Sequence, residues 1–362
     1  MPFSHLGPLE KAAAPSRTIQ VLIVDDSVVV RRILTKVFGA DPRFSVVGAV
    51  ASGDQAIAFA RTHAVDLVML DMQMPGLDGL QVLPQILAGE RKIQVVLLSG
   101  SCREGSELAV QALAAGASDV VAKPSAGHFS DQFVEHLLDR LIHLVPAAER
   151  SRAPERTDQS KARLRPAGNL VRAVAIGGST GGISGMVTLL GALERSTPFP
   201  IFITQHLPAN FNPLFAEQLR RATQLPVVIA EEDMPVRSGQ IHVAPGHAHL
   251  SLGKDVRGNV IVKLTHERCL HGSYPAVDPM FTAIARIYGA GACGVILSGM
   301  GRDGLAGANA IADAGGWLIA QDHATSAVWG MPGSVAKAGL ASAILPTPAI
   351  AGLIIGQWQA VA

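Results

Sequence analysis

Short apolar runs alternate with amphipathic stretches along the first part of the chain. Runs of Val, Ile and Leu lie at 20–24, 45–50, 66–70, 94–98 and 118–121, and helical periodicity follows at 27–39, 53–63, 78–89, 106–115 and 129–144. Such runs carry few polar positions, which indicates strands buried on both faces of a parallel sheet. Five strand–helix units in succession predict a doubly wound α/β domain.

The pattern is interrupted once and then resumes. Residues 147–169 crowd charges of both signs with Pro154 and Pro166, which predicts a solvated linker. Residues 1–18 contain three prolines and no apolar signal-peptide core, so a flexible extension is expected there. The chain is therefore predicted to be α/β with two doubly wound domains, at 19–146 and 170–362, and the second is mainly parallel.

Polar residues end the strands of the first predicted domain. Asp25 and Asp26 follow the first run, Asp71 follows the third, Ser99 the fourth and Lys123 the fifth. In such sheets ligands bind beyond the carboxyl ends of the strands, so these side chains should meet. Three carboxylate oxygens suit Mg²⁺, while a lysine and a hydroxyl suit a phosphoryl group. Taken singly, helix capping or a solvated charge explains each residue; the set of five favours a site.

A glycine-rich turn opens the second domain, between an apolar run at 171–176 and a helical stretch. The glycine spacing does not fit a dinucleotide loop, and Ile183 stands where a Walker loop needs lysine. Gly177, Ser179 and Gly181 do fit Gly-x-Ser-x-Gly, which exposes a serine hydroxyl on a sharp strand-to-helix turn. Capping of the helix by Ser179 or Thr180 is the alternative, and the turn alone leaves both open.

Two further strand ends bear on that choice. His206 follows the run Ile201–Thr204, and Asp303 follows the run from Cys293 to Ser298. With Ser179 they form a nucleophile, a base and a carboxylate that orients the base. The order along the chain differs from the familiar hydrolases, but triads are defined by geometry. Separately, His206 could be a core histidine and Asp303 the N-cap of a helix beginning near Gly304.

Composition excludes several other functions. The net charge is +1, so neither nucleic acid nor an anionic membrane is indicated, and no apolar run has the length of a membrane span. Three distant cysteines predict no disulfide framework and fit a reducing cytoplasm. His242, His247 and His249 could chelate a metal, but no carboxylate or thiolate accompanies them at ligand spacing. Asp278 is expected to cap the helix at 277–288, and Trp317 and Trp329 to pack in or near the core.

The first domain resembles the receiver domain of two-component response regulators. The resemblance rests on Val24–Ser27, Leu70–Gly79, Leu98-Ser99 and Lys123-Pro124. It implies a flavodoxin-like fold, phosphorylation of Asp71 by a histidine kinase, and Mg²⁺ held by Asp25, Asp26 and Asp71. It further implies Ser99 and Lys123 as switch residues, with a cis Lys123-Pro124 peptide. Val120 stands where receivers usually carry an aromatic residue.

The second domain resembles the catalytic domain of the chemotaxis protein-glutamate methylesterases. The matching motifs are Ile176–Gly182, Gln205–Pro208, Ala244–Gly246, Leu297–Gly304 and Ala320–Asp322. The resemblance implies Ser179 as nucleophile, His206 as base, Asp303 as its orienting group, and Thr180 and Met300 near the oxyanion. His323 and Gly333-Ser334 depart from positions where acidic residues are common.

Together the two resemblances imply a cytoplasmic, phosphorylation-activated serine hydrolase. Its substrates would be glutamate γ-methyl esters, and also glutamines, in the cytoplasmic helices of chemoreceptors. Hydrolysis would need no cofactor, and the unphosphorylated receiver is expected to inhibit. Two alternatives stay open: the same chemistry in a non-chemotactic sensory array, or an adaptor whose hydrolase site is silent.

Overall fold

The computed structural model describes residues 18–89, 91–99, 103–123, 134, 137–138, 141–142, 144–145, 170–194, 197–207, 209–267, 269 and 273–359. The predicted linker at 147–169 and nearly all of the predicted extension at 1–18 lie outside these residues. So do most of the predicted helix at 129–144 and the Lys123-Pro124 peptide bond. Within the described residues, no helix combines the length and apolar character of a membrane span.

The first sheet has five strands in the order β2-β1-β3-β4-β5. The strands are β1 (Ile19–Val24), β2 (Phe44–Val50), β3 (Leu67–Asp71), β4 (Gln94–Ser99) and β5 (Asp119–Ala122). The helices are α1 (Val28–Gly39), α2 (Gly53–Thr62), α3 (Gly79–Leu87) and α4 (Arg103–Ala114). All five predicted strands are present; the apolar runs of β1, β3 and β4 are almost wholly buried, whereas that of β2, an edge strand of the sheet, is mostly half-buried.

Helix starts in this domain follow side-chain capping. Ser27 caps α1 through its hydroxyl, so neither Asp25 nor Asp26 serves as that cap. Asp78 and Gln81 form a reciprocal capping box at the start of α3. The two aspartates that end β1 are therefore left available at the carboxyl edge of the sheet.

The second sheet has seven strands in the order β14-β13-β12-β6-β7-β9-β8, and the recorded pairings are parallel. The strands are β6 (Ala173–Gly178), β7 (Ile201–Gln205), β8 (Val227–Ile229), β9 (Ile241–Val243), β12 (Ala292–Ile296), β13 (Trp317–Gln321) and β14 (Ala343–Leu345). Strands β10 (His249–Lys254) and β11 (Val260–Thr265) form a separate, antiparallel two-stranded sheet. The prediction of a mainly parallel α/β domain is confirmed.

Six α-helices belong to the described part of this domain. They are α5 (Gly182–Gly191), α6 (Asn212–Ala222), α7 (Val277–Tyr288), α8 (Leu305–Asp313), α9 (Met331–Lys337) and α10 (Thr347–Gln359). Helix α7 carries much of the core, since Val277, Met280, Phe281 and Ile284 are almost fully buried. The apolar face of α7 packs against strands and α8, which fixes where its N-terminus lies.

The strand order identifies where this domain should bind ligands. From β6 the chain builds the sheet toward β7, β9 and β8, and from β12 it builds in the opposite direction. Strands β6 and β12 are neighbours, so the winding reverses between them. A crevice at the carboxyl ends of strands on either side of such a reversal is the usual ligand site of doubly wound sheets.

Candidate active site

Ser179 follows directly on β6 at this crevice. Its N–H donates to the carbonyl of Ser298 (3.0 Å), and its own carbonyl accepts from the Gly182 N–H (2.8 Å). Helix α5 begins after Gly181, which has φ 74° and provides no side-chain cap. Capping by Ser179 or Thr180, the alternative that the sequence left open, is therefore wrong. The hydroxyl of Ser179 is not used to begin the helix.

The turn is compact enough to require glycine at two places. A Cβ on Gly181 would lie 2.4 Å from the Cβ of Ala327, and its left-handed φ already disfavours other residues. A Cβ on Gly299 would lie 2.9 Å from the Cβ of Ser179. The loop that follows β12 thus lies directly against the serine turn. Met300 is the next residue of that loop.

His206 and Asp303 are in direct contact. The Nε2 atom of His206 lies 2.6 Å from Oδ2 of Asp303, whose side chain is 2% exposed. Burial alone would raise the pKa of Asp303, but the hydrogen bond and charge of His206 outweigh it, with help from backbone N–H groups, and hold the pKa below its ordinary value. The aspartate is therefore ionised and accepts the proton of Nε2, which leaves Nδ1 of His206 as the acceptor nitrogen.

The carboxylate of Asp303 also occupies the N-terminus of helix α7. Its Oδ2 accepts from the N–H of Val277 (2.7 Å), and its Oδ1 accepts from the N–H of Asp278 (3.1 Å). The positive end of the helix dipole and two free N–H groups stabilise an anion at this point. The alternative in which Asp303 is the N-cap of the helix near Gly304 does not hold, because Gly304 itself is the N-cap of α8 and no side chain caps that helix. Asp303 serves α7 instead.

The expected cap of α7 also differs from the sequence prediction. Ala276 precedes the helix and makes no side-chain cap, and Asp278 lies inside the first turn. The Oδ1 of Asp278 accepts from the N–H of Gly307 (2.8 Å), so this side chain ties α7 to α8. The carboxylate that Asp278 was expected to provide at the helix start comes from Asp303.

Ser179 and His206 are brought together through the backbone of their strands. The N–H of His206 donates to the carbonyl of Gly178 (3.1 Å), the residue before Ser179. No hydrogen bond joins the Ser179 hydroxyl and the His206 ring, both of which belong to the described residues. Catalytic hydrogen bonds are often long without substrate and shorten in the reacting complex.

Gln205 is a residue that the sequence did not single out. It is buried at the end of β7, and its Nε2 donates to the carbonyl of Ser179 (2.8 Å). In a trans peptide the N–H points away from the carbonyl, so the N–H of Thr180 is directed to the opposite side of this bond. Ser298 fixes the next peptide, since its buried hydroxyl donates to the carbonyl of Thr180 (2.8 Å). In the sequence, Gln205 was only the first residue of the matching motif Gln205–Pro208, and no role was assigned to it.

The acidic residues of the first sheet also meet. Oxygen atoms of Asp25, Asp26 and Asp71 all lie within 4.8 Å of one another. The Nζ of Lys123 lies 3.1 Å from Oδ2 of Asp25 and 2.7 Å from Oδ2 of Asp71. The backbone of Ser99 ends β4, but its side chain is outside the described residues. The structure thus brings together four of the five predicted side chains: the carboxylates of Asp25, Asp26 and Asp71 and the ammonium of Lys123.

The charges of this cluster influence one another. Burial raises the pKa of the Asp71 carboxyl, against the opposing hydrogen bond from Lys123. Burial acts to lower the pKa of Lys123, but hydrogen bonds and charges of Asp71 and Asp25 outweigh it and raise that pKa. Three carboxylates with one ammonium leave a net negative site. The oxygen donors and their close spacing fit Mg²⁺, which prefers carboxylate ligands and retains water.

The histidines considered as metal ligands do not form such a group. Among the described residues, the acidic cluster of the first sheet is the one set of side chains placed to share an ion. His242 is buried on β9 with its ring on Phe202, while His247 is exposed. Trp317 is 7% exposed, in line with its expected packing role. Trp329 donates from Nε1 to the carbonyl of Gln321 (2.9 Å), a structural bond near the crevice.

These features define a class: a two-domain α/β protein with an acidic cluster in one sheet and a hydroxyl, imidazole and carboxylate around the switch crevice of the other. The family model described as CheB methylesterase matches residues 174–354, and the one described as response regulator receiver domain matches residues 21–131. The chain belongs to the CheB methylesterase family.

Relatives match over nearly the whole chain. A protein-glutamate methylesterase/protein-glutamine glutaminase of Rhodospirillum centenum is 36% identical, covering 94% of this chain and 94% of that protein. A protein of the same name from Azospirillum brasilense is 35% identical, covering 92% and 91%. The crystal structure of the Thermotoga maritima CheB methylesterase catalytic domain matches with a TM-score of 0.50 and 36% identity, over 51% of this chain and 97% of that domain.

Proposed function

We propose that this chain is a phosphorylation-activated serine hydrolase that removes methyl groups from glutamate γ-methyl esters of chemoreceptors. The observation that carries the proposal is the contact of 2.6 Å between His206 and the buried, ionised Asp303 at the crevice where Ser179 ends β6. The names of the relatives supply the substrate, and the geometry supplies the chemistry. Domain boundaries at 146 and 170 and a cytoplasmic location, where receptor signalling helices lie, are part of the proposal.

The reaction follows from the state of the two ionisable groups. Because Asp303 fixes the proton on Nε2 of His206, Nδ1 accepts the proton of Ser179 as Oγ forms a bond to the ester carbon. The developing oxyanion takes hydrogen bonds from the N–H groups of Thr180 and Met300. Collapse breaks the bond to the methoxy oxygen, and His206 returns its proton to release methanol.

Hydrolysis of the acyl-enzyme regenerates the serine. Water attacks the acyl carbon while Nδ1 of His206 takes one of its protons, and Ser179 leaves with the proton restored. The products are receptor glutamate and free enzyme. A receptor glutamine enters by the same route, with ammonia leaving in place of methanol, so deamidation shares the acyl intermediate.

The first sheet controls this reaction in the proposal. Asp71 accepts a phosphoryl group from a histidine kinase, and Mg²⁺ held by Asp25, Asp26 and Asp71 would neutralise the phosphoryl oxygens. Lys123, already within 2.7 Å of Asp71, pairs with the transferred group. Phosphorylation adds negative charge at this edge and draws Ser99 and Lys123 inward. This shifts the population of the chain away from the state in which the receiver domain inhibits the hydrolase.

Methanol release from methylated receptor fragments tests the proposal. Wild-type protein should release methanol, Ser179→Ala should not, and a phosphodonor such as acetyl phosphate should raise the rate. Ser184→Ala is the matched control, because Ser184 lies in the same helix start and bonds only locally to the carbonyl of Gly181 (3.4 Å). Turnover by Ser179→Ala at the wild-type rate would show that the assignment is wrong. No release by wild-type protein would favour the adaptor.

A further inference from the structure

His249 is a fully buried histidine at the start of β10 that the mechanism does not use. Its Nδ1 accepts a hydrogen bond from the N–H of Ala276 (2.8 Å), and its Nε2 lies 2.9 Å from the carbonyl oxygen of Glu267. A donor faces one ring nitrogen and an acceptor faces the other. The ring is therefore neutral, with its proton on Nε2.

These bonds exclude two other roles for the ring. Both nitrogens already have protein partners, so neither is available to a metal ion. The Sγ of Cys269 lies 3.6 Å from Nε2, but that nitrogen carries the proton and cannot accept the proton of the thiol. Burial, and then the charges of Asp303 and its neighbours, raise the pKa of Cys269. A second nucleophile of the cysteine–histidine kind is not formed here.

The N–H of Ala276, which bonds to Nδ1 of His249, lies next to the two N–H groups that bind Asp303. Three successive N–H groups stand at the start of helix α7: that of Ala276 bonds to His249, and those of Val277 and Asp278 bond to Asp303. Ala276 itself offers no side-chain cap, so these three N–H groups are bound by side chains from elsewhere in the domain. His249 fixes the peptide directly before the two that bind the carboxylate.

We propose that His249 is a positioning residue for the hydrolytic reaction, holding the first turn of α7 so that Val277 and Asp278 orient the Asp303 carboxylate against His206. The inference rests on the proposed function, since it assigns His249 to the same site. It acts through a backbone segment and touches neither substrate nor reacting atoms. Its effect is on the orientation of Asp303, and thus on the catalytic step more than on substrate binding.

Two substitutions separate this role from simple packing. His249→Asn keeps an acceptor, because the amide oxygen can take the place of Nδ1, whereas His249→Leu removes it and leaves the buried N–H of Ala276 without a partner. In the full chain, His249→Leu should lower kcat for methanol release by about 10²-fold with little change in KM, as a small misplacement of catalytic groups does. His249→Asn should restore most of the rate.

A double-mutant cycle tests whether the effect passes through Asp303. If it does, adding His249→Leu to Asp303→Asn should cost little further activity, since the carboxylate that His249 positions is already gone. Losses that multiply in the double variant would overturn the inference. So would His249→Leu with wild-type kcat, or His249→Asn as inactive as His249→Leu although both are folded.

The same set of variants also checks that each protein is folded and that Ser179 is the nucleophile. Thermal melting identifies any variant that is unfolded at the assay temperature. If His249→Leu is unfolded there, the rate of His249→Asn still tests the inference. Ser179→Ala serves as the reference for the proposed function. If it retains turnover, the proposed function fails. If it is inactive and the His249 variants behave like wild type, only the positioning role fails.

Discussion

Replacing Asp303 by asparagine tests how the two roles of this carboxylate are joined. Its oxygens accept four hydrogen bonds: Oδ2 from His206 (2.6 Å) and Val277 (2.7 Å), and Oδ1 from Asp278 (3.1 Å) and Gly304 (2.8 Å). An amide can present oxygen to only one of these two pairs. Its NH₂ group must face donors at the other position, so every orientation of the substituted side chain loses acceptors.

The two orientations can be ranked from these bonds. With NH₂ at the Oδ1 position, two buried backbone N–H groups lose their acceptor, at about 1–3 kcal/mol each. With NH₂ at the Oδ2 position, one backbone N–H is lost, and the His206 ring can adapt by moving its proton to Nδ1. The second orientation costs less, but it places a proton on the nitrogen that should accept the proton of Ser179.

We therefore expect two separate effects of Asp303→Asn. The kcat for methanol release should fall by on the order of 10⁴-fold, the loss known for the wrong histidine tautomer in a serine protease triad. The free energy of unfolding should fall by about 2–4 kcal/mol, from one unpaired N–H and the lost anion at the helix N-terminus.

Methanol release and urea unfolding of the same preparations measure the two effects. Asp313→Asn is the matched control, because Asp313 is an exposed carboxylate at the far end of α8. It should change neither quantity appreciably. If Asp303→Asn kept a rate within a few-fold of wild type while folded, the tautomer argument would be refuted. Lost activity with unchanged stability would refute the capping role.

Three further predictions concern other buried groups. Gln205→Leu should lower kcat by roughly 10-fold without raising KM, because the peptide that presents the Thr180 N–H loses its hydrogen bond; steady-state kinetics of methanol release check this. Burial lowers the pKa of His242, so below about pH 6.5 the unfolded chain takes up a proton that the folded chain does not, and the free energy of unfolding decreases as the pH is lowered. His242→Phe should weaken this dependence in urea unfolding between pH 7 and 5, and exposed His247→Phe should not, although His249 adds a dependence of the same sign. Phosphorylation by acetyl phosphate should vanish in EDTA and in Asp71→Asn, and labelling that persists in EDTA would contradict the Mg²⁺ site.

The sequence was most informative where side chains stand at the ends of buried strands. Asp25 and Asp71 could be placed together because parallel strands end at one edge and the apolar runs marked those ends clearly. The same reasoning placed His206 near Ser179. The α7 bounds of 277–288 were also correct, because its apolar face has strong helical periodicity.

What the sequence could not predict depends on backbone partners. The N–H groups of Val277 and Asp278 exist at every residue type except proline, so no pattern marks them as ligands of Asp303. The bond between His249 and Ala276 joins residues 27 positions apart, and a lone histidine on a strand carries no sign of it. Gln205 was missed for the same reason, since its partner is the carbonyl of Ser179.

In the sequence, helix capping and catalysis are alternative roles for Asp303. In the structure, the same carboxylate has both. Burial alone would favour the neutral form of the carboxylate, but the hydrogen bond and charge of His206, followed by the N–H groups at the positive end of α7, hold the pKa of Asp303 below its ordinary value. The ionised carboxylate then holds the proton on Nε2 of His206, and Nδ1 is left to act as the base. The helix N-terminus thus contributes to catalysis, because its N–H groups help to stabilise the ionised form of Asp303. A cap and an orienting carboxylate are here one set of hydrogen bonds.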